Sequence, residues 1–316
     1  MQLPLTLYES HVMRNGFILL FVVASFKLSA QKVIPLYDGP VPGGRPCTDQ
    51  EYTGKWNGIN ILYKISNPAV AVYLPDRKSD APTAAVIICP GGGYGVNAWQ
   101  HEGSEVAEVF QRWGMAAFVV KYRLPDDACM VDKKYAPLQD VQRAFELVRT
   151  KAKDWGIDPN KVGVMGFSAG GHLASTAATR YLNPVLNSFA NTNLRPDFQI
   201  LIYPVISMLP ENGHQGSAEN LLGKEASTEL KRQFSSELNV PADAPTAFLI
   251  HASDDEVVKP NNSILYYQAL IAKKLSASLH LYPKGGHGFG MNNPTTSDPW
   301  MDRLQAWLKD LTMLPR

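Results

Sequence analysis

From residue 84 onward the chain alternates between short apolar, β-branched runs and segments of helical period. That alternation constrains the fold more than any other feature. The runs stand at 84–89, 116–121, 161–166, 198–203, 246–251 and 277–282. Between most of them lie segments such as Glu105–Phe110 and Val141–Val148, with apolar residues at helical spacing. Strands that are apolar on both faces must be covered on both, so the pattern predicts a largely parallel α/β sheet with helices on either side. Right-handed crossovers then distribute the helices over the two faces. Residues 31–82 are rich in Pro, Gly and turn signals and hold one strand-like run, Ala69–Leu74. They are expected to form a wrap with edge strands rather than a separate domain. No internal repeat interrupts the chain, so 31–316 is expected to be a single domain.

The N-terminal piece reads differently. Arg14 is followed by an uncharged apolar run, Gly16–Phe26, then by Lys27-Leu28-Ser29-Ala30. This is the pattern of a signal peptide, too short to span a bilayer comfortably. Cleavage is expected after Ala30, with Met13 an alternative start, and the mature protein is expected in the periplasm or outside the cell, without membrane insertion. The chain carries 30 Lys+Arg against 29 Asp+Glu. Removing residues 1–30 takes away Arg14, Lys27 and Glu9 and leaves the rest neutral. No basic field exists for nucleic acid, so a substrate must be recognised by shape and local chemistry. Hydrophobic residues at 45% and charged residues at 19% exclude disordered and polytopic membrane classes. Of three cysteines, Cys89 ends an apolar run and reads as a buried hydrophobe. Cys47 and Cys129 are free to pair in an oxidising compartment, though their positions do not decide it.

Two glycine-rich turns carry the chemistry. Lys161–Met165 leads into Gly166-Phe167-Ser168-Ala169-Gly170-Gly171-His172, then a run of small helix-compatible residues, Leu173–Ala178. Strand, sharp turn and helix is the context in which Gly-x-Ser-x-Gly presents a nucleophilic serine. The helix start aims its free amides and positive dipole end at the same point. The second turn, Cys89-Pro90-Gly91-Gly92-Gly93-Tyr94-Gly95, ends an earlier strand. Glycine amides there can approach and stabilise a developing oxyanion. The expected donors are Ala169 and either Gly92 or Gly93. No Gly-Lys-Ser/Thr follows, and the glycine spacing fits no dinucleotide fingerprint, so no nucleotide cofactor is expected.

Of seven histidines, His287 is the candidate base. It lies in Gly285-Gly286-His287-Gly288, after the final strand-like run, where a flexible loop can carry an imidazole over Ser168. His172 sits on the elbow helix and is expected to pack there; His251 and His280 belong to strands, and His101 and His214 to polar loops. Asp254 and Asp255 follow the run that ends at His251, and a carboxylate there can orient the His287 ring. The order serine, acid, histidine distinguishes α/β-hydrolases from other triad folds.

Through Cys89–Tyr94, Lys121–Leu124, Pro137–Ala144, Gly166–Ala174 and the acid and histidine loops, the chain resembles the α/β-hydrolase family. Within it, the likeness is to exported bacterial carbohydrate esterases of the acetylxylan and feruloyl kind, over roughly residues 60–310. The resemblance implies a metal-independent serine esterase with Ser168, Asp255 and His287 as its triad, since Asp255-x-Val-Val matches the family's acid loop. It implies an acylated polysaccharide as substrate, acetyl esters first, with feruloyl or general short-chain esters as the alternative. A non-catalytic binding module is the remote alternative, disfavoured because every triad position is filled. Lipase-like relatives carry His where this chain has Pro90. Asp140 and Arg143 match the family too and are expected to form an i,i+3 pair on one helix. His101-Glu102-Gly103 is expected to be structural, capping the next helix, with a place at the pocket border as the alternative. Tyr94 and Trp99 are expected to border the substrate pocket, together with the connection 207–240. No large lid is expected.

Overall fold

A computed structural model describes residues 32–76, 81–189 and 191–314. The expected signal segment, 1–30, lies outside them. Gln31–Arg316 forms one compact unit. Its main sheet has eight strands, here given in spatial order. They are β1 (Lys32–Pro35), β4 (Ala69–Tyr73), β7 (Ala116–Lys121), β5 (Thr83–Cys89), β8 (Ile157–Phe167), β9 (Phe198–Ile202), β10 (Thr246–Ala252) and β11 (Ala277–Tyr282). From β7 to β11 every pairing is parallel, whereas β4 and β1 join antiparallel at one edge. A small antiparallel sheet is made of β2 (Tyr52–Trp56), β3 (Ile59–Tyr63) and β6 (Val96–Asn97). The helices are α1 (Glu105–Arg112), α2 (Ala136–Thr150), α3 (Ala152–Trp155), α4 (Ser168–Thr179), α5 (Gln215–Leu222), α6 (Thr228–Gln233), α7 (Asn261–Ala272) and α8 (Trp300–Asp310).

The apolar runs become the parallel strands because alternate residues feed two separate cores. On β5, Ala85, Ile87 and Cys89 join α2, α4 and α7 on one face. Ala84, Val86 and Ile88 join α1 and α8 on the other. Small residues let α4 sit close against the sheet, and the whole helix is buried.

The chain runs from β5 to its neighbour β7, then returns across β5 to β8 on the other side. The strand order therefore reverses at β5 and β8, and their carboxyl ends open a crevice there. Both glycine-rich turns leave from these two strand ends.

The N-terminal segment wraps the sheet edge and is tied down at several points. Cys47 and Cys129 form a disulfide, and Arg45 N–H donates to Cys129 O at 2.8 Å. Arg123 Nη1 and Gln139 Nε2 both donate to Pro42 O. The expected Asp140–Arg143 pair does not form. Asp140 is fully buried and meets Arg123, which donates from Nε, Nη2 and its own backbone N–H. Such multidentate geometry outweighs an i,i+3 contact on the helix surface. Arg143 instead pairs with Glu146 and donates to Leu36 O, so it too fastens the wrap.

At the β8–α4 junction a Cβ on Gly170 would lie 2.1 Å from Cys89 O, a backbone atom with no room to retreat. Gly170→Ala is expected to lower the unfolding free energy by about 3 kcal/mol, the upper range for overpacking. Urea denaturation checks this, and a loss under about 0.5 kcal/mol would show that the junction yields.

Candidate active site

β8 stays extended through Phe167 (φ −116°, ψ 137°), and Ser168 then turns to φ 50° as α4 begins. A left-handed serine costs roughly 1–3 kcal/mol and persists only where its surroundings over-determine it. Here they do, because a Cβ on Gly166 would stand 2.0 Å from Gly170 O. Only glycine lets strand and helix converge this closely, and the strain at Ser168 follows from the convergence. Phe167 supplies no side-chain cap. The first amides of α4 are left available to whatever approaches Ser168.

The loops after β10 and β11 meet this turn. Ser168 Oγ donates to His287 Nε2 at 2.9 Å, and His287 Nδ1 donates to Asp255 Oδ2 at 2.7 Å. The side chain of Asp255 is fully buried, and both of its oxygens are occupied. Oδ1 accepts from the amides of Val257 and Val258 at 2.9 and 2.8 Å. His251 adds a second imidazole, its Nε2 3.2 Å from Asp255 Oδ2 and 2.9 Å from Val258 O. Burial pushes the Asp255 pKa up, but the hydrogen bonds from His251, His287 and the Val258 amide prevail. The carboxyl is held well below the ordinary carboxylate range. Asp254 acts on the backbone instead: its Oδ1 accepts from Gly286 N at 2.8 Å and pins the histidine loop.

The turn after β5 lies against the serine; a Cβ on Gly91 would be 2.9 Å from Ser168 Cβ. Gly92 takes φ 122°, and a Cβ there would fall 2.3 Å from Val96 O, so this position requires glycine. The amides of Gly92, Gly93 and Ala169 donate to no acceptor among the described residues. The Gly91 amide is occupied: it donates to Glu102 Oε2 at 2.8 Å. Glu102 Oε1 accepts from Tyr203 Oη at 2.8 Å, and Tyr203 Oη accepts from Gly290 N at 3.0 Å. The Tyr203 ring stands edge-on to both His287 and Phe289, with centroids 4.9 and 4.7 Å away. One buried carboxylate thus couples the glycine turn to the histidine loop. Glu102 was expected to be structural, and its contacts specify which structure it holds.

The remaining candidates are placed as follows. The Tyr94 ring is only 2% exposed, packs on Tyr122 and donates its hydroxyl to His172 Nδ1 at 2.8 Å. Most of the ring therefore lies in the core, while Tyr94 also lines a cavity beside the glycine turn. Trp99 is partly buried and packs against both cores. His172 donates from Nε2 to Phe234 O at 2.7 Å, and burial pushes its pKa down to about 4. His214, assigned only to a polar loop by the sequence, caps α5, with Nδ1 taking hydrogen bonds from Ser217. Burial and the charge of His287 hold it below the ordinary range, against a smaller opposing pull from Asp255, so its ring lies in the field of the site.

These features define an α/β-hydrolase: a mostly parallel sheet, a nucleophile turn at the strand-order reversal, and acid and histidine on later strand ends. The chain belongs to the BD-FAE family, whose model matches residues 70–270. It is similar to the acetylxylan esterase of Xylanibacter ruminicola, at 38% identity over 84% of this chain and 52% of that protein. It is also similar to endo-1,4-beta-xylanase B of Butyrivibrio fibrisolvens, at 34% identity over 74% of this chain and 36% of that one. The chain thus spans about half the length of one of these relatives and about a third of the other. Among solved structures it is similar to the acetyl ester-xyloside bifunctional hydrolase from Caldicellulosiruptor lactoaceticus. That match has a TM-score of 0.77 and 32% identity over 90% of this chain and 97% of the other.

Two outcomes follow from the buried network. Glu102→Gln cannot accept from both donors, so one is left unmatched; unfolding free energy should fall by about 1–3 kcal/mol in urea, and an unchanged midpoint would contradict the network. His172 accepts a proton more readily when unfolded, near pH 6.5, than when folded, near pH 4. Its contribution is therefore complete above pH 6.5 and declines as pH falls toward 4, by about 3 kcal/mol in all. Urea unfolding across that interval should show a shallower acid decline in His172→Phe than in the parent.

Proposed function

We propose that this chain is an exported serine carboxylic-ester hydrolase that removes acyl groups, acetyl first among them, from xylan-type polysaccharide. The observation that carries the reading is the pair of hydrogen bonds Ser168–His287 and His287–Asp255, at 2.9 and 2.7 Å. In this reading Ser168 Oγ attacks the ester carbonyl while His287 Nε2 takes its proton. Asp255, kept ionised by two amide and two imidazole donors, stabilises the imidazolium and fixes the tautomer. The oxyanion rests on the Ala169 amide and on Gly92 or Gly93, whose N–H groups are otherwise unengaged. His287 returns the proton to the departing sugar oxygen, and water then repeats the sequence to release the acid. Because the donors are fixed before substrate arrives, little reorganisation opposes the charge change.

The names of the relatives support the substrate class proposed: an acetylxylan esterase, a xylanase and an acetyl ester-xyloside hydrolase. Export draws support from the apolar run Gly16–Phe26 and from the Cys47–Cys129 disulfide, which persists in an oxidising compartment.

Release of acetate from acetylated xylan tests the reading. The parent enzyme should release acetate, and Ser168→Ala should lose activity by a factor on the order of 10⁴ to 10⁶ while keeping its far-UV spectrum. Undiminished release by Ser168→Ala would sink the mechanism. Faster release of ferulate than of acetate from xylan oligomers would reassign the acyl group.

A further inference from the structure

A cavity of about 190 Å³ opens beside the glycine turn. It is bounded by Gly95 of that turn, Asn220 of α5, and Gln50, Lys64, Ser66 and Asp126 from the wrap and the segment after β7. Ser168, His287 and Asp255 do not line it, so it is not the ester site itself. The two are nevertheless neighbours. Gly95 N donates to Gly92 O at 3.0 Å, which closes a tight turn whose ends lie within about 7 Å of each other. One end of that turn follows Gly91, in contact range of Ser168; the other forms the cavity wall.

The lining has a definite chemistry. Lys64 Nζ, the Gln50 amide and the Ser66 hydroxyl have no hydrogen-bond or ion-pair partner among the described residues. Asp126 accepts from Ala128 N through Oδ1 alone, and Asn220 donates to Gly93 O while its carbonyl oxygen stays open. Ile65 and Leu124 add an apolar floor. One cation and one anion offset each other, so the cavity suits a neutral molecule rich in hydroxyls that also has apolar C–H faces. Its volume is below the roughly 300–1,000 Å³ of pockets for larger ligands and fits a single ring.

Its walls are also fixed in advance. The segment 47–51 has little regular structure, yet it is fastened by the Cys47–Cys129 disulfide and by Asn67 Nδ2 donating to Asp49 at 3.1 Å. The Glu51–Lys121 pair at 2.6 Å fastens it again. A pre-set wall spares a ligand the cost of ordering it.

We propose that this cavity is a glycan subsite that holds an unacylated pyranose unit of the polysaccharide next to the acylated one. The proposal rests on the reading of the Ser168 site as a polysaccharide esterase, and it adds the place where chain length is sensed. It predicts that the enzyme favours acylated oligosaccharide over acylated monosaccharide. It also assigns that preference to Lys64 and Gln50, which take no part in the chemistry.

The test compares the parent with the double variant Lys64→Ala, Gln50→Ala on p-nitrophenyl acetate and on acetylated xylotetraose. The variant should keep kcat/KM on p-nitrophenyl acetate within twofold. On the oligosaccharide it should lose about tenfold, mainly through KM, as expected for losing hydrogen bonds to a charged group and an amide. An oligosaccharide-to-nitrophenyl ratio equal to the parent's would overturn the subsite. Calorimetric titration with unacetylated xylotetraose gives a second readout without turnover: binding to the parent should weaken about tenfold in the variant, and equal binding would overturn the proposal. A parent that hydrolyses neither ester would instead strike the Ser168 reading.

Discussion

The backbones of β8 and α4 pass so close at Ser168 that no side-chain atom fits between them. Gly166 and Gly170 face each other across that gap, and Gly170 also meets the carbonyl of Cys89 at the end of β5. The two strand ends and the helix start are thereby locked into one small volume. The left-handed serine is a consequence, since an extended or right-handed residue there would not connect an incoming strand to a helix already so near. That contact adds to the Cys89–Gly166 strand pairing in setting how close the glycine turn after β5 stands to the nucleophile.

Two buried carboxylates then divide the work of holding the loops. Asp255 faces the His287 ring and is saturated by four donors, two amides and two imidazoles. Its full hydrogen bonding explains why a charge survives with no solvent contact. Glu102 stands behind the site and joins Gly91 to Tyr203, and through Tyr203 to Gly290. Loops from four different strand ends are registered to each other by these two groups. Mobile loops on a rigid sheet are the usual home of binding residues; here the loops are also cross-braced beneath.

The parallel strands and both glycine turns were legible because their signals are local: β-branched runs, and glycines that backbone geometry demands. Serine, acid and histidine could be ordered along the chain for the same reason, each standing just past an apolar run. What stayed hidden depends on tertiary direction. Asp140 and Arg143 look like partners on a helix, but Asp140 points inward to Arg123, which the sequence alone places only on a connecting segment. Tyr94 sits beside three glycines and looks exposed, yet its ring turns under the turn and bonds His172. His251, four residues before Asp255, carried a usable signal, since a histidine ending a strand ahead of an acid loop can reach back to it. Nothing local marked His214 or the Asn220 contact to Gly93, because α5 meets the glycine turn only after the β9–β10 connection folds over it.

The convergence of hydroxyl and imidazole is the claim from which the rest follows, and its most direct measurement is covalent. Intact-mass and peptide analysis after exposure to a fluorophosphonate reagent should show one adduct per chain, located on Ser168. The rate of labelling should collapse in His287→Ala although Ser168 is still present. Labelling of a different residue, or an undiminished rate in His287→Ala, would mean that Ser168 is not activated by this imidazole.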